Sequence, residues 1–524
     1  MLPAVPERAL LELGRTEGGP ETLRFLVRDQ YTRRLLLLRA VLDAAEAADA
    51  EVCSPGARGR LREDWALLEE AEGRSYGGAG PSTAFNGTSI GSQAGSQAGP
   101  QVGQSGPHTR SQPRPPVRSA APEEPPEPAL SPFRARLLHP FLGPWARHCL
   151  RGLGPVAGRR TERDARELSR DLGYFGALAA VSAARAGVSF TVRLTSRDGV
   201  LTLPSLGALR TNAPGDAPVE VVHRNHRLTF RQGGEADVVV QLQSGIGAWS
   251  GAAAWAPAYA LPSLLPDTAP IPLDDLDPYR TVRDGPRHHA LSGPVTLDDA
   301  ERKRWLHTWS GTASALALGG EYRLEEAVAL LRCLVPLSAP PGSEPGGRPG
   351  GSCSGTRREA FGAVLSTTPP TATTFAATLV HELAHAKLSA LCDMLTLHRA
   401  GPQTRYFAPW RADPRPYDGL LQGAYSHLAL ADFFQRRALA IAHPAHRDAA
   451  WAQHARYQEQ VGAVLPTLVG SDDLTAQGRQ FVDQMVAVYE RLAEHPAPRG
   501  QAARAEAYVK AARALWTQRH APAE

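Results

Sequence analysis

His381-Glu382-Leu383-Ala384-His385 is the most specific chemical pattern in the chain, of the form H-E-x-x-H. Two histidines four positions apart fall on one face of an α-helix, because four residues is close to one turn. Their imidazoles can converge on one metal ion, and Glu382 can face the same cavity. The surrounding run TTFAATLVHELAHAKLSALCDML reads helical. Thr371 to Thr374 follow Pro369 and Pro370 as cap candidates, and Phe375, Leu379, Leu383, Leu388 and Leu391 form an apolar stripe. The alternative is an amphipathic helix with two half-buried histidines. A carboxylate on the buried face argues against it, because it would be costly there without a partner.

The pair needs a third ligand. Downstream lie His398, His427, His443, His446 and His454. His427 sits in a helical, apolar setting among Leu420, Leu421, Tyr425, Leu428, Leu430, Phe433 and Phe434, which points it into the core. It is the candidate ligand, against the alternative of a satisfied core histidine. His398, His443 and His446 fall in loop-like sequence and are expected in solvent. The H-E-x-x-H-x-x-G-x-x-H extension is absent. His223 and His226 read as exposed strand or turn histidines. The acidic stretch LDDLDPYR lacks calcium-loop spacing and reads as a surface connection. Lys387 and Asp393 are either an interior ion pair or supports for the metal helix.

The elements that must hold these residues read as an α+β chain, predominantly helical. A zincin-like metal helix is expected beside a small antiparallel sheet and a C-terminal helical region. Residues 1–74 form an N-terminal helical segment. Residues 75–132, rich in Gly, Ser, Gln and Pro, read as a disordered insert, because too few apolar residues offset the ordering entropy. Residues 133–298 form an α+β segment with strand signals in VSFTVRLT, GVLTLPSLG, VEVVHRNHRLTFR and ADVVVQLQ. Residues 299–524 form the helical catalytic region. Within it EYRLEEAVALLRCLVPL reads as a helix stopped at Pro336, and REAFGAVLSTTPP as a short strand entering the metal helix.

Composition narrows the class. The chain has 524 residues, 42% of them hydrophobic, enough for a sizeable core. A net charge of +4, evenly spread, gives no case for nucleic acid. Cys53, Cys149, Cys333, Cys353 and Cys392 form no CxxC pair and suit a reducing compartment. The first residues have no apolar signal-peptide region, and Leu35 to Leu38 is too short to span a bilayer, so a soluble cytoplasmic protein without membrane contact is expected.

LVHELAHAKLSALCDML, RYFAPWRADPRPYDGLLQGAYSHLALADFF, SGTRREAFGAV and LTAQGRQFVDQM together resemble the actinobacterial HExxH-motif peptide-modification family, the α-ketoglutarate-dependent HExxH-type peptide β-hydroxylases. The similarity runs through most of residues 133–490 and is densest after residue 350. It implies a non-haem Fe(II) enzyme that uses α-ketoglutarate and O2 as co-substrates. Its substrate would be a ribosomally made precursor peptide, with other peptide-modifying enzymes as partners. His381, His385 and His427 would then be an all-histidine metal triad. Glu382 would orient a ligand or hold a water. The far carboxylate of α-ketoglutarate calls for a guanidinium fork, for which Arg411 and Arg415 are candidates, with Tyr406 adding a hydroxyl. A surface salt bridge is the alternative for either arginine.

Two rival readings use the same residues. In a zinc peptidase the two histidines hold Zn(II), and Glu382 is the base that activates a bound water. In a metal-stabilised peptide-binding scaffold the histidines are needed but Glu382 and Arg411 are dispensable.

Overall fold

Sequence periodicity switches between helix and strand along the chain, and the computed structural model follows it closely. It describes residues 4–77, 132–155, 160–281, 293–339, 353–403 and 405–520. Most of the expected 75–132 insert lies outside the described residues. The chain is α+β and mainly helical. No described helix is long and apolar enough to cross a membrane.

The N-terminal half begins with helices α1 (Glu7–Gly14), α2 (Pro20–Ala47) and α3 (Pro55–Gly77). Then come α4 (Pro132–Leu137), α5 (Leu142–Leu153) and α6 (Glu162–Arg185). FRARLLHPFLGPWARHCL is thus two helices, divided around Pro140. A Thr161/Asp164 capping box starts α6 ten residues before the Ala-rich run. Strands β1 (Phe190–Thr195), β2 (Val200–Leu203), β3 (Gly207–Arg210), β4 (Pro218–Arg224), β5 (Arg227–Arg231), β6 (Val238–Leu242), β7 (Ala248–Trp249) and β8 (Trp255–Pro257) follow. They form two antiparallel sheets, ordered β1-β4-β5-β6-β7 and β2-β3-β8.

A third sheet lies beside the helix that carries His381 and His385. It takes β9 (Tyr259–Leu261) and β10 (Ile271–Leu273) from one side of position 298. From the other side it takes β11 (Cys333–Pro336), β12 (Ser354–Thr356) and β13 (Ala363–Ser366). Its order is β12-β13-β11-β10-β9, and β10, β11 and β13 run parallel, so it is mixed rather than antiparallel. The expected helix through CLVP is therefore corrected. Helix α9 ends at Leu330, and Cys333–Pro336 is a strand buried at all four residues. A short, fully buried apolar run suits either element, and pairing with β10 and β13 decides it.

The remaining helices are α7 (Asp299–Trp309), α8 (Thr312–Ala317), α9 (Glu321–Leu330), α10 (Ala372–Met394), α11 (Tyr417–Ala440), α12 (Pro444–Gly462), α13 (Leu465–Val469), α14 (Ala476–Leu492) and α15 (Arg499–His520). Asp298 with Glu301 closes a capping box at the start of α7.

The third sheet and helices α2 and α6 each serve two cores; α2 gives Leu23 and Leu26 to the main core and Leu38 and Val41 to a second. Along the third sheet, Leu334 and Val364 face the main core with α10, α11 and α14, while Cys333, Val335, Ala363 and Leu365 face a second core with α2, α5 and α6. This is the two-residue alternation of a strand. Helix α6 gives Phe175, Leu178 and Ala179 to that second core. It gives Ala177, Ala180 and Val181 to a third core under the antiparallel sheets.

Two further expectations are corrected. LDDLDPYR is interior: Asp275 and Asp277 are 1% exposed. Tyr174 donates to Asp277 (2.5 Å), and the Leu297 amide donates to Asp275 (2.9 Å). His223 is buried too, its Nδ1 2.6 Å from the Val188 carbonyl, while His226 occupies the left-handed turn position between β4 and β5. In both stretches tertiary partners bond buried polar groups, while Asp275 Oδ1 and His223 Nε2 have no hydrogen-bond partner among the described residues.

Candidate metal centre

Helix α10 begins where Thr371 accepts from the Thr374 amide (3.1 Å), the cap expected after Pro369 and Pro370. Its flanking residues Leu379, Val380, Leu383 and Ala384 are buried, which fixes the rotation of the helix. His381 and His385 therefore share a face, with ring centres 4.6 Å apart and planes at 88°.

Each of these rings is oriented by a hydrogen bond at Nδ1. His381 Nδ1 lies 3.0 Å from Glu382 Oε1, and His385 Nδ1 lies 3.1 Å from Gln422 Oε1. With Nδ1 as the donor to these oxygens, Nε2 keeps the lone pair a metal requires. Glu382 is 2% exposed and also accepts from Ser354 Oγ on β12 (2.7 Å). Burial pushes its carboxyl up, but His381 and the hydrogen bonds outweigh that, and the net shift is downward. Burial, followed by the nearby His381, lowers the His385 imidazole to about 4. His385 is thus neutral and ligand-competent at pH 7.

His427 comes from α11, which packs along α10. Its ring centre is 5.7 Å from that of His381. Imidazoles bound to one ion through metal–nitrogen bonds of about 2.1 Å have ring centres roughly 4.5–5.5 Å apart. Burial holds its pKa well below the ordinary range, and its buried Nδ1 has no hydrogen-bond partner among the described residues. A neutral imidazole beside two others is the kind of donor that suits a first-row transition metal. Among the described residues, however, no three His, Cys, Asp or Glu side chains stand close enough to make a finished ligand set. His381 and His385 share a face that suits a metal, and His427 stands beside them without completing a ligand set.

The other downstream histidines lie elsewhere. His398 is half-buried rather than solvated, 4.7 Å from the Tyr417 ring and 3.8 Å from Asp418. His454 is fully buried against the Ala431 carbonyl, and His443 and His446 are exposed.

Arg411, Arg415 and Tyr406 belong to one pinned loop. The Tyr406 and Arg415 backbones exchange hydrogen bonds of 2.8 and 3.0 Å, closing residues 406–415 into a ring. Both arginines turn to Asp413, Arg411 Nε at 2.8 Å and Arg415 Nη1 at 3.2 Å. No hydrogen bond or ion pair joins either to the three histidines. The loop residue that reaches the site is Trp410, whose ring centre is 4.5 Å from that of His427. Tyr457 of α12 stands 5.1 Å from His427.

Lys387 and Asp393 do not pair with each other. Lys387 is fully buried and bonded to Glu326 and to the Thr16 carbonyl (3.0 Å); Glu326 also holds Arg323 (3.1 Å). Asp393 pairs with Arg358 (2.6 Å). Ser354, Gln422, Trp410 and Tyr457 were not singled out from sequence. The available signals were a polar Gln422 inside the apolar run of α11 and an aromatic Trp410 directly after Pro409. No protein-family model matches the chain, and no curated protein matches it.

Proposed function

We propose that this protein is a non-haem iron, α-ketoglutarate-dependent oxygenase that hydroxylates the β-carbon of a side chain in a ribosomally made peptide. The observation that carries this reading over a zinc peptidase is the engagement of Glu382. A peptidase base must reach a metal-bound water. Here the carboxylate is buried and held by His381 Nδ1 and Ser354 Oγ, which suits orientation of a ligand.

His381, His385 and His427 are the residues that would hold the iron. Three neutral imidazoles suit a first-row transition metal and leave its charge to attract a dianionic co-substrate. Iron with α-ketoglutarate and O2 supplies the oxidising power needed to insert oxygen into a C–H bond. Arg411 and Arg415, which pair with Asp413, would supply guanidinium groups for the distal carboxylate of the co-substrate. The resemblance in APWR, DPRP and GLLQGAY supports the peptide substrate and the zincin-like description of α10.

The test is anaerobic reconstitution with Fe(II), followed by α-ketoglutarate, with the visible charge-transfer band as readout. The band is expected in the wild type and weakened in His427→Ala and Arg411→Ala. Absence of the band, together with stoichiometric Zn(II) and peptide cleavage that needs Glu382, overturns the reading in favour of a peptidase.

A further inference from the structure

The three histidines are not held alike. His381 and His385 are each fixed by a side-chain hydrogen bond at Nδ1, to Glu382 and to Gln422. The Nδ1 of His427 has no such bond among the described residues. The χ2 torsion of histidine is broad, so an imidazole without a hydrogen-bond partner takes its orientation from whatever packs against its faces and edges. For His427 those neighbours are aromatic. Trp410 meets it at 4.5 Å with planes at 75°, and Tyr457 at 5.1 Å with planes at 58°. Tyr457 is itself braced by stacking on Phe434 at 5.9 Å and 14°.

Trp410 reaches His427 only because of a glycine. A Cβ added at Gly423, on α11 one turn before His427, would stand 2.4 Å from the Trp410 ring. The Tyr406–Arg415 backbone bridge limits how far the loop can retreat from such a side chain.

We infer that Trp410, together with Tyr457, is the positioning residue for His427 and does by ring packing what Glu382 and Gln422 do for the other two histidines by hydrogen bonding. The inference rests on the reading of His427 as a metal ligand. It makes the 406–415 loop part of the metal centre. Displacing the loop changes metal affinity without touching a ligand.

Co(II) loading reads this without any turnover. Affinity is measured by competition with a chelator, and ligand geometry by the visible Co(II) absorption spectrum. The proteins are the wild type, His427→Ala, Trp410→Ala, Trp410→Phe, Gly423→Ala and Tyr457→Phe, each checked for fold by circular dichroism. Trp410→Ala and Gly423→Ala are expected to bind Co(II) about tenfold or more weakly, with an altered spectrum, by analogy with loss of other ligand supports. Trp410→Phe should recover most of the affinity, and Tyr457→Phe, which keeps its ring, should match the wild type. Wild-type affinity and spectrum in folded Trp410→Ala, with both changed in His427→Ala, overturn the positioning role alone. His427→Ala identical to the wild type, or a wild type that binds no Co(II), overturns the ligand reading and the inference with it. Should Trp410→Ala not fold, Gly423→Ala decides by the same comparison.

Discussion

Glu382 and Ser354 are joined by a 2.7 Å hydrogen bond that ties α10 to the edge strand of the mixed sheet. His381 Nδ1 lies on the same carboxylate oxygen, so under the proposed function Glu382 would support a ligand. Glu382→Ala should therefore weaken metal binding about 10–100-fold, the range for groups that orient ligands. Ser354→Ala should act in the same direction by less. Metal titration of the folded variants checks both. Undiminished metal binding in Glu382→Ala would be the behaviour of a peptidase base.

Lys387, two residues beyond His385, anchors α10 to the rest of the core through Glu326 and the Thr16 carbonyl. Removing Lys387 takes one of two cations from the buried Glu326 carboxylate and leaves Arg323 on it. Lys387→Ala is expected to cost about 3–5 kcal/mol in urea unfolding. Lys387→Met combined with Glu326→Gln should cost less than the sum of the two single changes, because both remove the same contact. Additive losses would show that the pair is not coupled.

Asp64 supplies a pH dependence away from the metal centre. Burial, then the nearby Glu63, raises its carboxyl from 3.8 to about 7. The folded protein binds this proton more tightly than the unfolded chain does. The stability it contributes is complete below about pH 4 and is lost as pH rises towards 7. Asp64→Asn should flatten that part of a plot of Tm against pH. Parallel plots for the two proteins would refute the assignment.

Two glycines should respond oppositely to the same change. A Cβ at Gly143 on α5 would stand 2.1 Å from the Glu359 carbonyl oxygen, where backbone must move; at Gly173 on α6 it meets nothing within 4 Å. Gly143→Ala should destabilise by about 1–3 kcal/mol. Gly173→Ala should stabilise by about 0.5–1 kcal/mol through helix propensity. Thermal unfolding of both variants checks the signs.

Local signals in the sequence determined much of this protein. The four-residue spacing of His381 and His385 requires a shared helix face. The Thr371 cap and the strand signals from β1 to β6 depend on groups a few residues apart, and the mainly helical α+β class follows from them. The apolar setting that singled out His427 is likewise a property of one helix.

Tertiary structure decided which groups meet. Nothing local distinguishes CLVP as a strand until β10 and β13 flank it. Asp275 and Asp277 look like surface residues until Leu297 and Tyr174 bond them. Arg411 and Arg415 turn to Asp413, two residues from each, while Trp410 between Pro409 and Arg411 turns inward, because Gly423 leaves room for its ring. Ser354 meets Glu382 across 28 positions, and Gln422 meets His385 across 37. Such partners depend on how whole elements pack, and a spacing rule reaches only one turn of helix or one pair of strands.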